Sequence, residues 1–353
     1  MLMISADVLA LSSEAAVLVR SGRIQFANSA AKAIFGEGCV GSQVKSVFGV
    51  EIAEAQAASF IGDLPIGGVR YIVRVTSMEG VRAVFLTKHE ESAALINDAL
   101  IYSLRNCLMG LGVTTEMLRT RAEEAKDAEL LAGLASVTHD YYRINRMLSN
   151  VTLIRSIDDG SLFFVPRPTD LAALLAQLAD TVNLISDGPR VVYSGPEELT
   201  ASIDPTLAEN LVLNLISNSL THAKGCTRVS LRLIEDHERV VISVNDDGCG
   251  IAPEKLHFVF DRYRHGFGIS DIDHGAGLGL TAALAIANLH GGTLLLESRE
   301  EVGTTVRASF SRNPVPTQPL CAAQEEPERG MRLLLTGLAD CLPDRCFSEK
   351  YAE

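Results

Sequence analysis

Two glycine-rich segments late in the chain constrain its fold more than any other feature. The first, residues 246–251, reads DDGCGI, and the second, residues 275–280, reads GAGLGL. A stretch with two asparagines and helical character, residues 214–218, precedes both. Glycine lets the backbone approach a ligand closely because it has no Cβ, and the free N–H groups at the start of a helix attract phosphate. An Ala- and Leu-rich helical run follows the second segment, so the order of the three predicts a nucleotide site.

Each part of this pattern offers a nucleotide a different contact. Asp246 can accept a hydrogen bond from an exocyclic amine, which discriminates against ligands that lack that donor. Asn218 can offer a neutral oxygen to a Mg²⁺ ion that also binds phosphate oxygens. Lys224 or His222 could supply a basic group near the phosphates, and of the two His222 better fits a structural contact.

Residues 166–312 resemble the catalytic ATP-binding domain of sensor histidine kinases, within the superfamily that includes gyrase, the heat-shock chaperone and the mismatch-repair ATPases. Residues 204–205 with 214–218 are similar to the asparagine box, residues 258–263 to the phenylalanine box, and residues 290–292 and 303–305 to the turns and strands that close the domain. The resemblance implies an α/β sandwich of the histidine kinase/gyrase type, with a mixed sheet on one face, helices on the other and a mobile lid at residues 261–274. It implies ATP and Mg²⁺ as ligands, with contacts from Asn214, Asn218 (to the Mg²⁺), His222, Lys224, Asp246, Gly248, Gly250, Ile251, Gly275, Gly277, Leu278, Gly279 and Thr304.

Asn214 bears on the reaction that such a site would run. The hydrolytic members of this superfamily carry a glutamate at that position as general base, four residues before the metal-binding asparagine. Asn214 has no carboxylate to take a proton from water. The residue therefore favours the kinase branch over simple ATP hydrolysis.

Composition limits the other classes of function. The 353 residues are 47% hydrophobic, which allows two or three domains with sizeable cores. A net charge of −13 argues against nucleic acid as a main partner, and no run of eighteen apolar residues predicts a membrane span. The seven cysteines are scattered singly, which indicates reduced thiols in a cytoplasmic protein. They are Cys39, Cys107, Cys226, Cys249, Cys321, Cys341 and Cys346.

The first 90 residues read as a separate small α/β module. Residues 15–19 and 23–26 predict two strands joined by a turn, residues 29–35 predict a helix that stops at Gly36, and residues 71–75 and 81–86 predict an antiparallel hairpin. The pattern of residues 23–31 with Gly36 resembles a PAS sensor domain, and a PAS-like spacer without a ligand is the alternative.

Residues 91–157 have the apolar spacing of a helical hairpin. Apolar side chains recur every three or four residues in two runs, with the charged stretch 121–127 expected as their connection. The two runs are Ile101, Leu104, Leu108, Leu111, Thr115 and Leu118, then Leu130, Leu134, Val137, Tyr141, Ile144, Leu148 and Val151. Two such hairpins would form a four-helix bundle, which is the dimerisation arrangement of histidine kinases. The sequence therefore predicts a homodimer.

The phosphoacceptor box of that family is altered in this chain. Tyr102, Ser103 and Cys107 stand where the family has its histidine, the adjacent acid and a proline. A phenol has a pKa near 10 and needs activation, whereas an imidazole is nucleophilic at neutral pH. His139, followed by Asp140, is a candidate replacement acceptor, but its position off the apolar seam predicts an ordinary side chain that faces solvent.

The sequence thus predicts an α+β chain of four parts: a PAS-like domain (1–90), a dimerisation hairpin (91–157), an ATP-binding domain (158–312), and a linker with a short packed element, expected to be a strand and a turn (313–353). Two functions remain open. One is a histidine-kinase-type enzyme that phosphorylates itself and signals to a response regulator. The other is a pseudokinase or scaffold that binds ATP and a response regulator or partner kinase without transferring phosphate.

Overall fold

The computed structural model describes residues 9, 14–48, 59–66, 69–78, 81–88, 98–236, 239–253, 256, 278–312 and 330–347. Its N-terminal part is an antiparallel sheet of five strands in the order β2-β1-β5-β4-β3, with two short helices. The strands are β1 (Ala15–Arg20), β2 (Arg23–Ala27), β3 (Ser59–Ile66), β4 (Val69–Met78) and β5 (Val81–Lys88). The helices are α1 (Ser29–Phe35) and α2 (Val44–Phe48).

Local sequence signals explain the ends of these first elements. Ser21 and Gly22 both adopt positive φ (50° and 71°) in the turn between β1 and β2. Asn28 caps α1, since its side-chain oxygen accepts a hydrogen bond from the Ala31 N–H at 2.9 Å. Gly36, with φ of 85°, ends that helix. The predicted strand pair, helix and β4–β5 hairpin are confirmed, while the resemblance to a PAS domain stays a prediction.

A long helical hairpin follows. It consists of α3 (Asp98–Ala125) and α4 (Ala128–Asp158), and the Asp127 side chain caps α4 by accepting from the Leu130 N–H at 3.0 Å. The hairpin was predicted, but its connection was not: only residues 126–127 link the helices, instead of residues 121–127. The helix continues because residues 121–125 (RAEEA) are all strong helix formers.

The C-terminal part is an α/β sandwich. Its strands are β6 (Arg167–Asp170), β7 (Arg190–Ser194), β8 (Thr200–Ile203), β9 (Arg228–Glu235), β10 (Arg239–Asp246), β11 (Leu294–Arg299) and β12 (Gly303–Ser311). Its helices are α5 (Leu171–Ile185), α6 (Pro205–His222) and α7 (Leu278–Leu289). Strand β7 pairs parallel with β9, whereas β9, β10, β12 and β11 pair antiparallel. The sheet is therefore mixed, which confirms the predicted α+β fold class.

The two sheets are continuous. Strand β3 pairs antiparallel with β11, with Ile61 opposite Leu296, and the result is one sheet of ten strands. Each part nevertheless has its own apolar cluster, one around Ile24 and Val73 and the other around Leu211 and Phe310. The boundaries of the predicted domains remain predictions.

Residues 330–347, called here the C-terminal segment, pack on the sandwich and the hairpin. They form α8 (Met331–Gly337) and a 3₁₀ turn (Asp344–Phe347), and Leu335, Leu338 and Phe347 are buried in the large core. The expected strand is thus a helix, because a leucine run this short does not distinguish the two by periodicity. Among the described residues, no helix is long and apolar enough to cross a membrane.

Candidate functional site

Asp246 is the most constrained polar residue of the predicted site. It is the last residue of β10, and its side chain is only 4% exposed. Its Oδ1 accepts from the backbone N–H groups of Gly248 and Thr304, each at 3.2 Å, and its Oδ2 accepts from the Ser219 hydroxyl at 3.1 Å. Burial raises the pKa of this carboxyl above its usual value, although these hydrogen bonds oppose the shift. The structure therefore brings α6, β12 and the first glycine-rich segment together around one carboxylate.

The two glycines of the first segment are needed for contacts inside the protein. A Cβ on Gly248 would lie 2.5 Å from the Cβ of Ala223, and a Cβ on Gly250 would lie 2.1 Å from the carbonyl oxygen of Arg299. Gly250 also has a positive φ of 64°. The end of α6 and the end of β11 therefore explain these two glycines by packing, and the prediction that they also let the backbone approach a ligand stays a prediction.

Helix α6 begins at a strong cap. Asp204 accepts from the N–H groups of Thr206 and Leu207 at 3.1 and 3.2 Å, and Pro205 stands in the first turn. The backbone N–H of Asp204 donates to Nε2 of His290 at 3.1 Å. His290 is fully buried, and burial lowers its pKa, so it is the neutral tautomer that ties the start of α6 to the end of α7.

Adjacent residues of α6 face both predicted loops. Ser219 binds Asp246, while the Oδ1 of Asn218 lies 3.5 Å from where a Cβ on Gly279 would stand. Gly279 is in the first turn of α7, and Leu278 is its first residue. Gly275 and Gly277, the phenylalanine box and the predicted lid lie outside the described residues.

His222, Lys224 and Ile251 contact the residues around the first glycine-rich segment through their backbone. The side chains of His222 and Lys224 are exposed at the end of α6, and the Lys224 carbonyl accepts from the Cys249 N–H at 3.0 Å. The Ile251 N–H donates to the Ser298 hydroxyl at 2.8 Å. The first glycine-rich segment is thus attached to α6 on one side and to the β11–β12 turn on the other.

Helix α4 reaches into the same region, which the sequence did not predict. Arg146 donates to the Asn214 Oδ1 at 3.2 Å and to the Ser217 hydroxyl at 2.8 Å. Asn150 donates to the same Asn214 oxygen at 3.3 Å. Arg146 and Asn150 are spaced i, i+4 on one face of α4, and this pairing of two polar residues was the only available signal in the sequence. Asn214 therefore joins the hairpin to the sandwich.

His139 does not face solvent, so that prediction was wrong. Its ring is 18% exposed, Nδ1 lies 2.6 Å from Oδ1 of Asp344, and Nε2 lies 2.7 Å from the carbonyl oxygen of Ala339. The ring also stacks on Phe347, with centroids 4.6 Å apart. The C-terminal segment covers it. Tyr102, by contrast, is 67% exposed on α3.

Comparison with known proteins agrees with this geometry. Residues 203–314 match the family model of the histidine kinase-, DNA gyrase B- and HSP90-like ATPases. The signal transduction histidine-protein kinase AfsQ2 of Streptomyces coelicolor is 28% identical over 252 residues, which are 69% of this chain and 45% of that protein. The histidine protein kinase DivJ of Caulobacter vibrioides is 36% identical over 132 residues, 37% of this chain and 22% of that protein.

A solved structure supports the fold alone. Full-length ShkA in complex with AMPPNP is 19% identical and superposes with a TM-score of 0.50, covering 62% of this chain and 46% of ShkA. The chain spans less than half the length of the curated relatives named above. An ATPase-type domain of this family implies that ATP binds here. Residues 203–314 are therefore an ATPase-type domain of the histidine kinase-, DNA gyrase B- and HSP90-like family, and a larger part of the chain is similar to sensor histidine kinases.

Proposed function

We propose that this chain binds ATP with Mg²⁺ and uses the complex to signal to a response regulator. Asp246 accepts from the exocyclic amine of adenine, and Asn218 offers its oxygen to the Mg²⁺. The first turn of α7, with Leu278 and Gly279, presents N–H groups to the phosphates. Mg²⁺ would neutralise phosphate charge when bound.

The observation that carries this proposal is the buried Asp246 carboxylate. Each carboxylate oxygen has two lone pairs, and among the described residues Oδ2 accepts one hydrogen bond, from the Ser219 hydroxyl. A buried acceptor with capacity left fits an amine donor. Asn214 supports the kinase branch, since its amide is bonded to Arg146, Asn150 and Asn210 and it supplies no carboxylate to activate water.

The hairpin supports the proposal of a homodimer. Three residues on each helix, spaced seven apart, are large apolar side chains between 40% and 46% exposed: Leu104, Leu111 and Leu118 on α3, and Leu130, Val137 and Ile144 on α4. We call these six residues the hairpin strip. Each of Leu104, Leu111, Leu130 and Ile144 stands four residues before a buried seam position (Leu108, Thr115, Leu134 and Leu148). Because α3 and α4 are antiparallel, a position four residues before the seam on each helix places the exposed residues of both helices on the same side of the hairpin. A second hairpin packed on that side would complete a four-helix bundle.

We expect Leu111→Glu to weaken dimerisation at least tenfold, because a charge would be buried among apolar side chains at the centre of the strip. The measurement is the mass in solution, by size exclusion with light scattering over a dilution series. Val113→Glu is the matched control, since Val113 is more exposed and two residues on, on the opposite side of α3. Equal dimerisation of Leu111→Glu and the wild type would contradict the strip as the interface.

A second function is favoured by the contacts of His139. Both ring nitrogens face acceptors of the C-terminal segment, and the family resemblance aligns Tyr102, not a histidine, with the acceptor position. On this reading the protein binds ATP, dimerises and docks a response regulator or partner kinase, but transfers no phosphate. The PAS-like module, the four-domain division and the cytoplasmic location predicted from the cysteines remain predictions under both functions.

Incubation with γ-labelled ATP and Mg²⁺ separates the two functions. Under the first, the protein acquires acid-labile, alkali-stable label, and His139→Gln removes it if His139 is the acceptor. Tyr102→Phe is the matched variant, since loss of an acid-stable label there would identify the phenol instead. Under the second, ATP binds and no label appears. Asp246→Asn, which removes the proposed adenine contact, should prevent labelling whichever residue is the acceptor.

A further inference from the structure

Arg146 is a buried cation at the junction of the hairpin and the sandwich. Its side chain is 7% exposed, and it donates to the Asn214 amide oxygen, the Ser217 hydroxyl and the carboxylate of Asp340. Burial lowers the pKa of the guanidinium, and Asp340 opposes that shift. Arginine stays charged in proteins, so this buried charge requires an anion.

The guanidinium lies where the proposed site receives phosphate. A Cβ on Gly279 would be 3.4 Å from Nη2 of Arg146 and 3.5 Å from Oδ1 of Asn218. The same Nη2 is 3.2 Å from Oδ1 of Asn214. Arg146 therefore stands beside both the proposed Mg²⁺ ligand and the first turn of α7. A guanidinium binds phosphate oxygens through paired N–H donors, which makes it suited to this position.

Asp340 is the anion that faces Arg146. It also accepts from Nε of Arg143 at 3.3 Å. The neighbouring Cys341 thiol does not compete for this role, because burial raises its pKa to about 12 and the thiol stays protonated. Asp340 belongs to the C-terminal segment, whose leucines are buried against α6, so the segment brings a carboxylate to the phosphate end of the site.

We propose that Arg146 is a phosphate-binding residue contributed by α4 to the nucleotide site, and that Asp340 competes with the phosphates for its guanidinium. This inference rests on the proposed function, because it uses the same ATP site. Its consequence is a coupling between ATP and the hairpin. When phosphate oxygens take the guanidinium, the C-terminal segment loses one of its contacts with α4, the helix that also carries His139.

The test measures the affinity for MgATP by calorimetry in the full chain. We expect Arg146→Gln to weaken binding roughly tenfold, since a charge-assisted contact to phosphate is lost, and Asp340→Asn to strengthen it a few-fold. Arg143→Gln is the matched control, because Arg143 also pairs with Asp340 but is 42% exposed. The affinity of this variant for MgATP should stay within about twofold of the wild type. Adenosine, which has no phosphate, should bind the wild type and Asp340→Asn equally.

A second measurement covers a failure of Arg146→Gln to fold. Hydrogen exchange of residues 330–347 in the wild type should rise with saturating MgATP and stay unchanged with adenosine. Suppose that Asp246→Asn loses MgATP binding while Arg146→Gln and Asp340→Asn keep wild-type affinity. That result overturns this inference and leaves the proposed function intact. A wild type that binds no MgATP overturns both. If Arg146→Gln does not fold, unchanged exchange with MgATP overturns the competition by Asp340.

Discussion

Asp246→Asn is expected to weaken MgATP binding roughly 100-fold while the protein remains folded, because a buried charged acceptor for the adenine amine is replaced by a neutral amide. The Asn oxygen can still accept from the Gly248 and Thr304 N–H groups, so the loop geometry is retained. Calorimetry measures the affinity, and circular dichroism checks the fold. An affinity within about threefold of the wild type would remove Asp246 from the site.

The same substitution should raise thermal stability at neutral pH. The pKa of Asp246 is raised in the folded protein, so the folded state binds more protons than the unfolded state between the ordinary pKa and the raised one. The contribution of Asp246 is therefore most favourable at low pH and is lost as pH rises through the folded pKa. The melting temperature of Asp246→Asn relative to the wild type should rise as the pH increases from the ordinary carboxyl pKa, about 4, through the raised pKa of the folded state.

Asp247→Asn is the matched control, and its effect on stability has the opposite sign. Asp247 is exposed, and hydrogen bonds from the Thr227 hydroxyl and from the Thr227 and Arg228 N–H groups hold its pKa well below the usual range. Its stabilising effect is present above the ordinary pKa and is lost on acidification. Asp247→Asn should therefore lower stability at neutral pH and leave MgATP affinity nearly unchanged. Equal loss of affinity in both variants would point to loop distortion.

The resemblance to the kinase ATPase domain predicted the sandwich, and local signals explain where several elements of the chain begin or end. The Asp204 cap, Pro205 and the apolar run fix the start of α6. Gly36 and the Ser21–Gly22 turn fix the ends of short N-terminal elements. These signals act over a few residues, and each satisfies backbone groups that the adjacent chain leaves unpaired. Helix caps and turns can therefore be predicted from the neighbouring sequence, because no distant partner is needed.

Contacts between distant residues were not predictable in the same way. His139 and Asp344 are 205 residues apart, and Arg146 and Asp340 are 194 apart. Helical periodicity gives the direction in which His139 projects from α4, but it does not show that the C-terminal segment lies there. The packing contacts of the glycines in residues 246–251 were not predicted for the same reason, since their neighbours are Ala223 and Arg299. The partner of each of these residues is set by tertiary packing.

Gly250→Ala should have the largest effect on stability, roughly 3–5 kcal/mol of unfolding free energy, because it combines two costs. Its φ of 64° disfavours a residue with a Cβ, and the new Cβ would lie 2.1 Å from the Arg299 carbonyl oxygen and 3.1 Å from the Glu300 nitrogen. Neither neighbour is a flexible side chain, so the backbone must shift. The measurement is chemical denaturation followed by circular dichroism.

Gly225→Ala separates the two costs. Gly225 also has a positive φ, of 76°, but a Cβ there would meet no atom within 4 Å. Only the backbone cost remains, about 1 kcal/mol. The displaced loop in Gly250→Ala would also move the Ile251 N–H, which donates to the Ser298 hydroxyl. That hydroxyl bonds the Thr304 side chain, and the Thr304 N–H donates to Asp246. MgATP affinity should therefore fall in Gly250→Ala alone, and equal destabilisation of both variants would show that the contact with Arg299 is not the cause.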